Sequence, residues 1–126
     1  MNKIPRICLI DDDIFVREAL SFGLGECGYQ VLAVPGASAG LDLVSREAID
    51  AIVTDMDMPG ISGEQLIVEA RARWPNLPII AITGAGAFFD DLALRSGADA
   101  CLVKPFRAQQ LIYLLETVMA ARTVST

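Results

Sequence analysis

Residues 6–28 read RICLIDDDIFVREALSFGLGECG. A short apolar run, Arg6–Ile10, meets three consecutive aspartates, and a stretch with helical spacing then runs to Gly28. The run is too brief for a helix and is continuously apolar rather than alternating, which is how a strand buried on both faces reads. Asp13 suits the N-cap of the helix that follows over residues 14–27, and Gly28 suits the left-handed position just past its end. Val16, Ala19, Leu20, Leu24 and Cys27 recur at three- and four-residue spacing and form the expected inward stripe.

The same strand-then-helix unit recurs down the chain. Further apolar runs stand at 30–34, 51–54, 78–83 and 100–103, each bounded by Asp, Gly, Pro or Ser. Helical patterns lie between and after them. One spans 38–48, with Gly40 inside it. One opens on Ser62-Gly63-Glu64-Gln65, a capping-box pattern, and carries Leu66, Ile67, Ala70 and Trp74 on one face before Pro75. One spans 88–96 and stops at Gly97, and the last runs over 107–121 with Leu111, Leu114, Leu115 and Val118 inward. Five strand–helix units with short connections predict an α/β fold, a five-stranded parallel sheet with right-handed crossovers and helices on both faces.

Composition agrees and excludes other classes. The 126 residues are 53% hydrophobic and 21% charged, a surplus that suits strands covered on both sides. A chain this long buries roughly two thirds of its unfolded surface, enough for a core without staples. Sixteen acidic against ten basic residues leave a net charge of −6, which argues against nucleic-acid binding and against docking on an anionic membrane. Cys8, Cys27 and Cys101 form no CxxC pair, and with no histidine in the chain the spacing of a zinc site is missing. Small apolar cysteines in a reducing compartment are the reading. No signal-peptide pattern and no membrane-length apolar window is present, so a cytoplasmic location is expected. One domain over residues 1–126 is expected, with its core at about 4–121 and 122–126 as a tail or the start of a linker.

Parallel α/β sheets carry their chemistry at the carboxyl ends of the strands. Here those ends supply Asp11, Asp12 and Asp13 after the first strand, and Asp55 and Asp57 after the third. Thr83-Gly84-Ala85 closes the fourth strand and Lys104-Pro105-Phe106 the fifth. Carboxylates crowded together raise one another's pKa and cost stability. A hard divalent cation relieves that cost, and Mg²⁺ takes one or two carboxylates while leaving room for phosphate oxygens. An aspartate nucleophile, Mg²⁺, a lysine and a hydroxyl are the parts needed to place a phosphoryl group on a carboxylate. Each residue alone has a bland explanation, and Asp13 keeps its own, as a helix cap. Chance does not account for all four strand ends carrying matching chemistry.

Leu9-Ile10-Asp11-Asp12-Asp13, residues 54–60 (TDMDMPG), Ile82-Thr83-Gly84 and residues 97–106 (GADACLVKPF) resemble, in order and spacing, the receiver domain of bacterial two-component response regulators of the chemotaxis-regulator kind. The likeness covers residues 4–121. It implies the flavodoxin-like strand order 2-1-3-4-5 and a phosphorylation-dependent signalling switch rather than a turnover enzyme. Asp55 would be the phosphoacceptor, taking its phosphoryl group from a partner sensor histidine kinase or phosphotransfer protein. Asp12 and Asp55 would bind Mg²⁺ directly, with the Asp57 backbone carbonyl as a further ligand and Asp11 acting through water. Lys104 would contact a phosphoryl oxygen, with the Lys104–Pro105 bond cis. Thr83 would hydrogen-bond the phosphoryl group and couple it to an output surface of the fourth helix, fifth strand and fifth helix, facing a downstream protein or a missing output domain.

Two positions depart from that family's pattern. Cys101 stands where relatives carry an aromatic, and Ala100 where one dimerising branch carries an acidic residue. Asp57 and Ala85 occupy positions thought to influence water attack on the acyl phosphate. Met56, Met58, Phe88, Phe89 and Trp74 are candidates for a partner surface, with Trp74 read first as packing and Phe88–Phe89 as one buried and one partly exposed. Three rival readings stand beside the switch. One is an aspartate-nucleophile phosphatase, suggested by Asp55-Met56-Asp57. Another is a flavin or nucleotide module, which the three aspartates oppose by repelling phosphate. The third is a phosphorylation-independent interaction module on the same fold.

Overall fold

The computed structural model describes residues 3–58, 62–84 and 87–124, the side chains of 87–90 and 123–124 excepted. Five strands alternate with five helices: β1 (Arg6–Ile10), α1 (Ile14–Glu26), β2 (Gln30–Val34), α2 (Ala37–Arg46), β3 (Ala51–Asp55), α3 (Gly63–Arg73), β4 (Ile79–Thr83), α4 (Ala87–Ser96), β5 (Ala100–Val103) and α5 (Ala108–Val124). All strand pairs are parallel and the order is β2-β1-β3-β4-β5. The expected order is therefore the observed one.

Alternation along each strand divides the core in two. Cys8 and Ile10 of β1, Ile52 of β3 and Ile79 and Ala81 of β4 face Leu41 and Val44 of α2, Leu66, Ile67 and Ala70 of α3 and Ala93 of α4. Ile7, Leu9, Val53, Ile80 and Ile82 face Leu24 of α1 and Leu111, Leu115 and Val118 of α5. Each fully buried Ile or Leu contributes about 1.5–3 kcal/mol relative to exposure. Leu115 is fully buried between sheet and helix, so Leu115→Ala should cost about 2–5 kcal/mol in a denaturant titration.

Local signals explain the element boundaries. The Asp13 carboxylate accepts from the Phe15 amide at 2.9 Å, and Gly28 has φ +94°. Ser62 and Gln65 close the capping box on α3. α2 starts one residue earlier and ends two earlier than the periodicity placed it, and Gly40 lies against β1: a Cβ there would stand 2.3 Å from Ile10 Cδ1. α5 runs three residues further, to Val124, and within that extension Arg122 is tied to Asp99 by its guanidinium. The inward stripe of α1 is narrower than expected. Leu24 is buried and Val16 and Leu20 half-buried, whereas Ala19 and Cys27 are exposed. Cys27 caps the helix end rather than facing the sheet.

Met56 is buried and packs with α3, so it belongs to the core and not to a partner surface. Met58 and Trp74 pack partly buried against the same cluster, and the Arg73 guanidinium lies over the Trp74 ring, 4.4 Å from its centre. The Phe88 and Phe89 side chains lie outside the described residues. Among the described residues, no helix is long and apolar enough to cross a membrane.

Candidate functional site

The parallel register brings the strand ends together. Ile10 pairs with Thr54, Asp55 with Ile82 and Thr83 with Val103. The Met56 amide donates to the Ile82 carbonyl at 2.8 Å and the Lys104 amide to the Thr83 carbonyl at 2.8 Å, so the ends stay side by side past the last ladder pair. Asp11, Asp55, Thr83 and Lys104 thus meet along one sheet edge by backbone geometry alone.

Asp55 is 3% exposed. Its Oδ1 accepts from the Asp57 amide at 3.0 Å, and its Oδ2 from Lys104 Nζ at 3.3 Å. Lys104 is half-buried, and the peptide bond after it is cis. Asp11 is 1% exposed; its Oδ1 accepts from the Asp13 amide at 2.9 Å, while its Oδ2 is buried with no hydrogen-bond partner among the described residues. A buried carboxylate oxygen left unpaired is costly unless something positive completes it. Asp12 is exposed, and one oxygen each from Asp11, Asp12 and Asp55 all lie within 4.8 Å of one another. That spread is close to the span across an Mg²⁺ coordination shell, about 4.2 Å for two opposite oxygens. An all-oxygen set with an orphaned buried carboxylate oxygen fits a hard divalent cation.

Burial pushes the Asp11 carboxyl above the ordinary carboxylate range, with Asp55 and Asp12 adding to the rise and the Asp13 amide and Lys104 opposing it. For a carboxyl raised on folding, its own contribution to metal-free stability is fully present below the ordinary aspartate range and is lost as pH rises through the folded-state value. Over that window the melting temperature of the wild type in EDTA should therefore fall relative to that of Asp11→Asn. Identical slopes would contradict the burial argument.

Asp57 is exposed, and its Oδ2 accepts from the Gly84 amide at 3.4 Å, spanning the loops after β3 and β4. Thr83 is fully buried at the end of β4. Ala85 lies outside the described residues, as do Pro59 and Gly60. Asp13 is the helix cap and no member of the acidic group. Cys101 is half-buried on β5 against the α2–α3–α4 side of the core, and Ala100 packs on the opposite side. Beside Lys104, Phe15, Val16, Ala19 and Leu20 of α1 join Pro105 and Phe106 around a cavity of about 430 Å³. Phe15 itself is 78% exposed there.

Two groups of polar residues escaped the sequence reading. Arg17 Nη1 donates to the Asp11 carbonyl at 2.8 Å, directly beneath the acidic turn. At the opposite edge, Asp99 Oδ2 accepts from Arg71 Nη2 and the Ile79 amide, both at 2.8 Å, while Arg122 reaches Asp99 Oδ1. Partners 20 to 28 residues apart in the chain leave no local signal.

A family model described as the response regulator receiver domain matches residues 7–116. Response regulator protein FleR of Pseudomonas aeruginosa is 40% identical over 111 residues, 87% of this chain and 24% of that protein. Two-component response regulator PhoP of the same species is 37% identical over 84% of this chain and 48% of its own length. The chain thus spans a quarter to a half of these curated relatives. Among solved structures, a response regulator receiver domain protein from Clostridium thermocellum superposes with a TM-score of 0.92 at 28% identity, covering 98% of this chain and all of that one. Chemotaxis protein CheY4 of Vibrio cholerae gives 0.87 at 25% identity, covering 92% and 99%. With its sheet order, its acidic strand ends and these relatives in agreement, the chain belongs to the receiver domain family of two-component response regulators.

Proposed function

We propose that this chain is a phosphorylation-driven signalling switch in which Asp55 accepts a phosphoryl group from a phosphohistidine on a sensor histidine kinase or phosphotransfer protein. The observation that carries the reading is the setting of Asp55: a nearly buried carboxylate held by Lys104 and the Asp57 amide, with Asp11 and Asp12 oxygens close by. Asp12 and Asp55 would hold Mg²⁺, with Asp11 through water and the Asp57 carbonyl as further ligand. Bound Mg²⁺ supplies positive charge that offsets the carboxylates and the incoming phosphate oxygens. An Asp55 oxygen attacks phosphorus, the P–N bond to the donor's imidazole breaks, and that nitrogen keeps the electron pair. Lys104 Nζ steadies a phosphoryl oxygen and Thr83 offers a hydroxyl to another. The protein is a regulatory domain, working over residues 1–126 in the cytoplasm, rather than a turnover enzyme.

Phosphorylation would bias two conformers according to their affinity for the phosphoryl group, read out through α4, β5 and α5 by a downstream protein or output domain. The apolar shelf of Phe15, Val16, Ala19, Leu20, Pro105 and Phe106 next to Lys104 supports a protein donor rather than a small metabolite alone. A second reading, a phosphorylation-independent interaction module, is favoured by Cys101 and Ala100 on β5, which leave the output strand without an aromatic.

The test is intact mass after incubation with acetyl phosphate and Mg²⁺, with and without EDTA. One phosphoryl adduct that EDTA suppresses is the expected result. No adduct, together with no Mg²⁺-linked rise in melting temperature, would reject the switch and favour the interaction module.

A further inference from the structure

We infer that Arg17 is a positioning residue for the metal site, clamping the turn that presents Asp11 and Asp12; this rests on the reading of that site as a Mg²⁺-dependent phosphoacceptor. Arg17 lies in the first turn of α1, which contains no acidic residue. A cation there opposes the helix dipole, so the dipole does not account for its placement. Its side chain is half-buried nonetheless, and among the described residues its guanidinium makes no salt bridge, although Asp13 and Glu18 are close in the chain. Instead Nη1 donates to the backbone carbonyl of Asp11 at 2.8 Å. Charge-assisted bonds of this kind are the stronger ones.

What that bond fixes is specific. The Asp11 carbonyl belongs to the peptide plane joining Asp11 to Asp12, and holding it sets the direction in which both carboxylates leave the turn. The rest of Asp11 is held as well: its amide donates to the Val34 carbonyl at 3.2 Å, and its Oδ1 accepts from the Asp13 amide at 2.9 Å. Every polar atom of Asp11 therefore has a partner among the described residues except the buried Oδ2, and one Asp11 oxygen lies within the acidic group. Without the clamp, mutual repulsion of Asp11, Asp12 and Asp55 is free to rotate that plane and splay the site. Partners that orient metal-ligating groups commonly contribute tenfold or more to metal affinity.

The experiment measures the Mg²⁺ midpoint of the melting-temperature rise, and of the acetyl phosphate adduct rate, in the full chain. Arg17→Met keeps the apolar stem and removes the donors; the midpoint should rise about tenfold or more, while the adduct rate at saturating Mg²⁺ stays near wild type. Arg17→Lys, which keeps the charge and one donor, should recover part of the shift, and it serves alone where the Met variant does not fold. A lowered metal-free melting temperature with an unchanged Mg²⁺ midpoint would show a merely structural role and overturn the inference. A wild type that itself ignores Mg²⁺ would overturn the site reading first, and the inference with it.

Discussion

Asp55→Asn should fold as the wild type does and accept no phosphoryl group from acetyl phosphate at any Mg²⁺ concentration. The amide keeps nearly the same shape and one oxygen, so the Asp57 amide, now 3.0 Å from Oδ1, retains an acceptor. It loses the charge and the nucleophilic oxygen pair that phosphorus requires. Two opposing terms act on metal-free stability. The Lys104 bond at 3.3 Å loses its ionic character, a part-exposed pair worth about 1 kcal/mol or less. Against this, one of three crowded carboxylates is neutralised. The melting temperature in EDTA should therefore change little, while its rise with Mg²⁺ should shrink sharply. Near-normal adduct formation in this variant would move the acceptor to another carboxylate.

The second large effect is expected at a residue that carries no side chain at all. Gly63 opens α3 and is buried against the segment that follows β3. A Cβ there would stand 2.6 Å from Met56 Cα and 2.9 Å from the Asp55 carbonyl oxygen. Both are backbone atoms, which cannot swing aside as a side-chain end can. Gly63→Ala must push α3 off the sheet or displace the stretch between Asp55 and Asp57. Alanine gains up to about 1 kcal/mol in helix propensity, whereas overpacking a filled site costs about 1–3 kcal/mol and sometimes more. We expect a net loss of about 2 kcal/mol in denaturant titration, and slower phosphorylation because the backbone of Asp55, the proposed acceptor, moves. Gly25→Ala is the control: nothing lies within 4 Å of the added carbon in exposed α1, so it should be neutral or stabilising by up to about 1 kcal/mol.

The contrast between these glycines shows what a sequence can and cannot carry. Gly28 was legible because a left-handed residue past a helical pattern is a local event. So were the Asp13 cap, the Ser62–Gln65 box and the five apolar runs, each read within a few residues. The acidic site was legible for the same reason in disguise: a parallel sheet gathers its strand ends, so Asp11, Asp55, Thr83 and Lys104 had only to be placed at ends. Gly40 and Gly63 were not legible as close-approach positions, because their neighbours, Ile10 and Met56, are brought in by packing. The same holds for Arg71, Asp99 and Arg122, joined across the sheet's opposite edge. Arg71 also donates to the Pro75, Leu77 and Gly97 carbonyls, so this tie fastens α3, α5 and the strands β4 and β5 at their starts. Ala19 and Cys27 show the reverse failure. Their spacing fitted the stripe of α1, but α1 turns only a narrow face to the core and leaves Ile14, Phe15 and Phe22 exposed.

Phosphopeptide mapping of the wild type after phosphorylation by acetyl phosphate in Mg²⁺ tests the central claim most directly. The account predicts a single modified carboxylate, Asp55, with Asp11, Asp12 and Asp57 unmodified. A phosphoryl group found on any of those three, or spread among them, would contradict it.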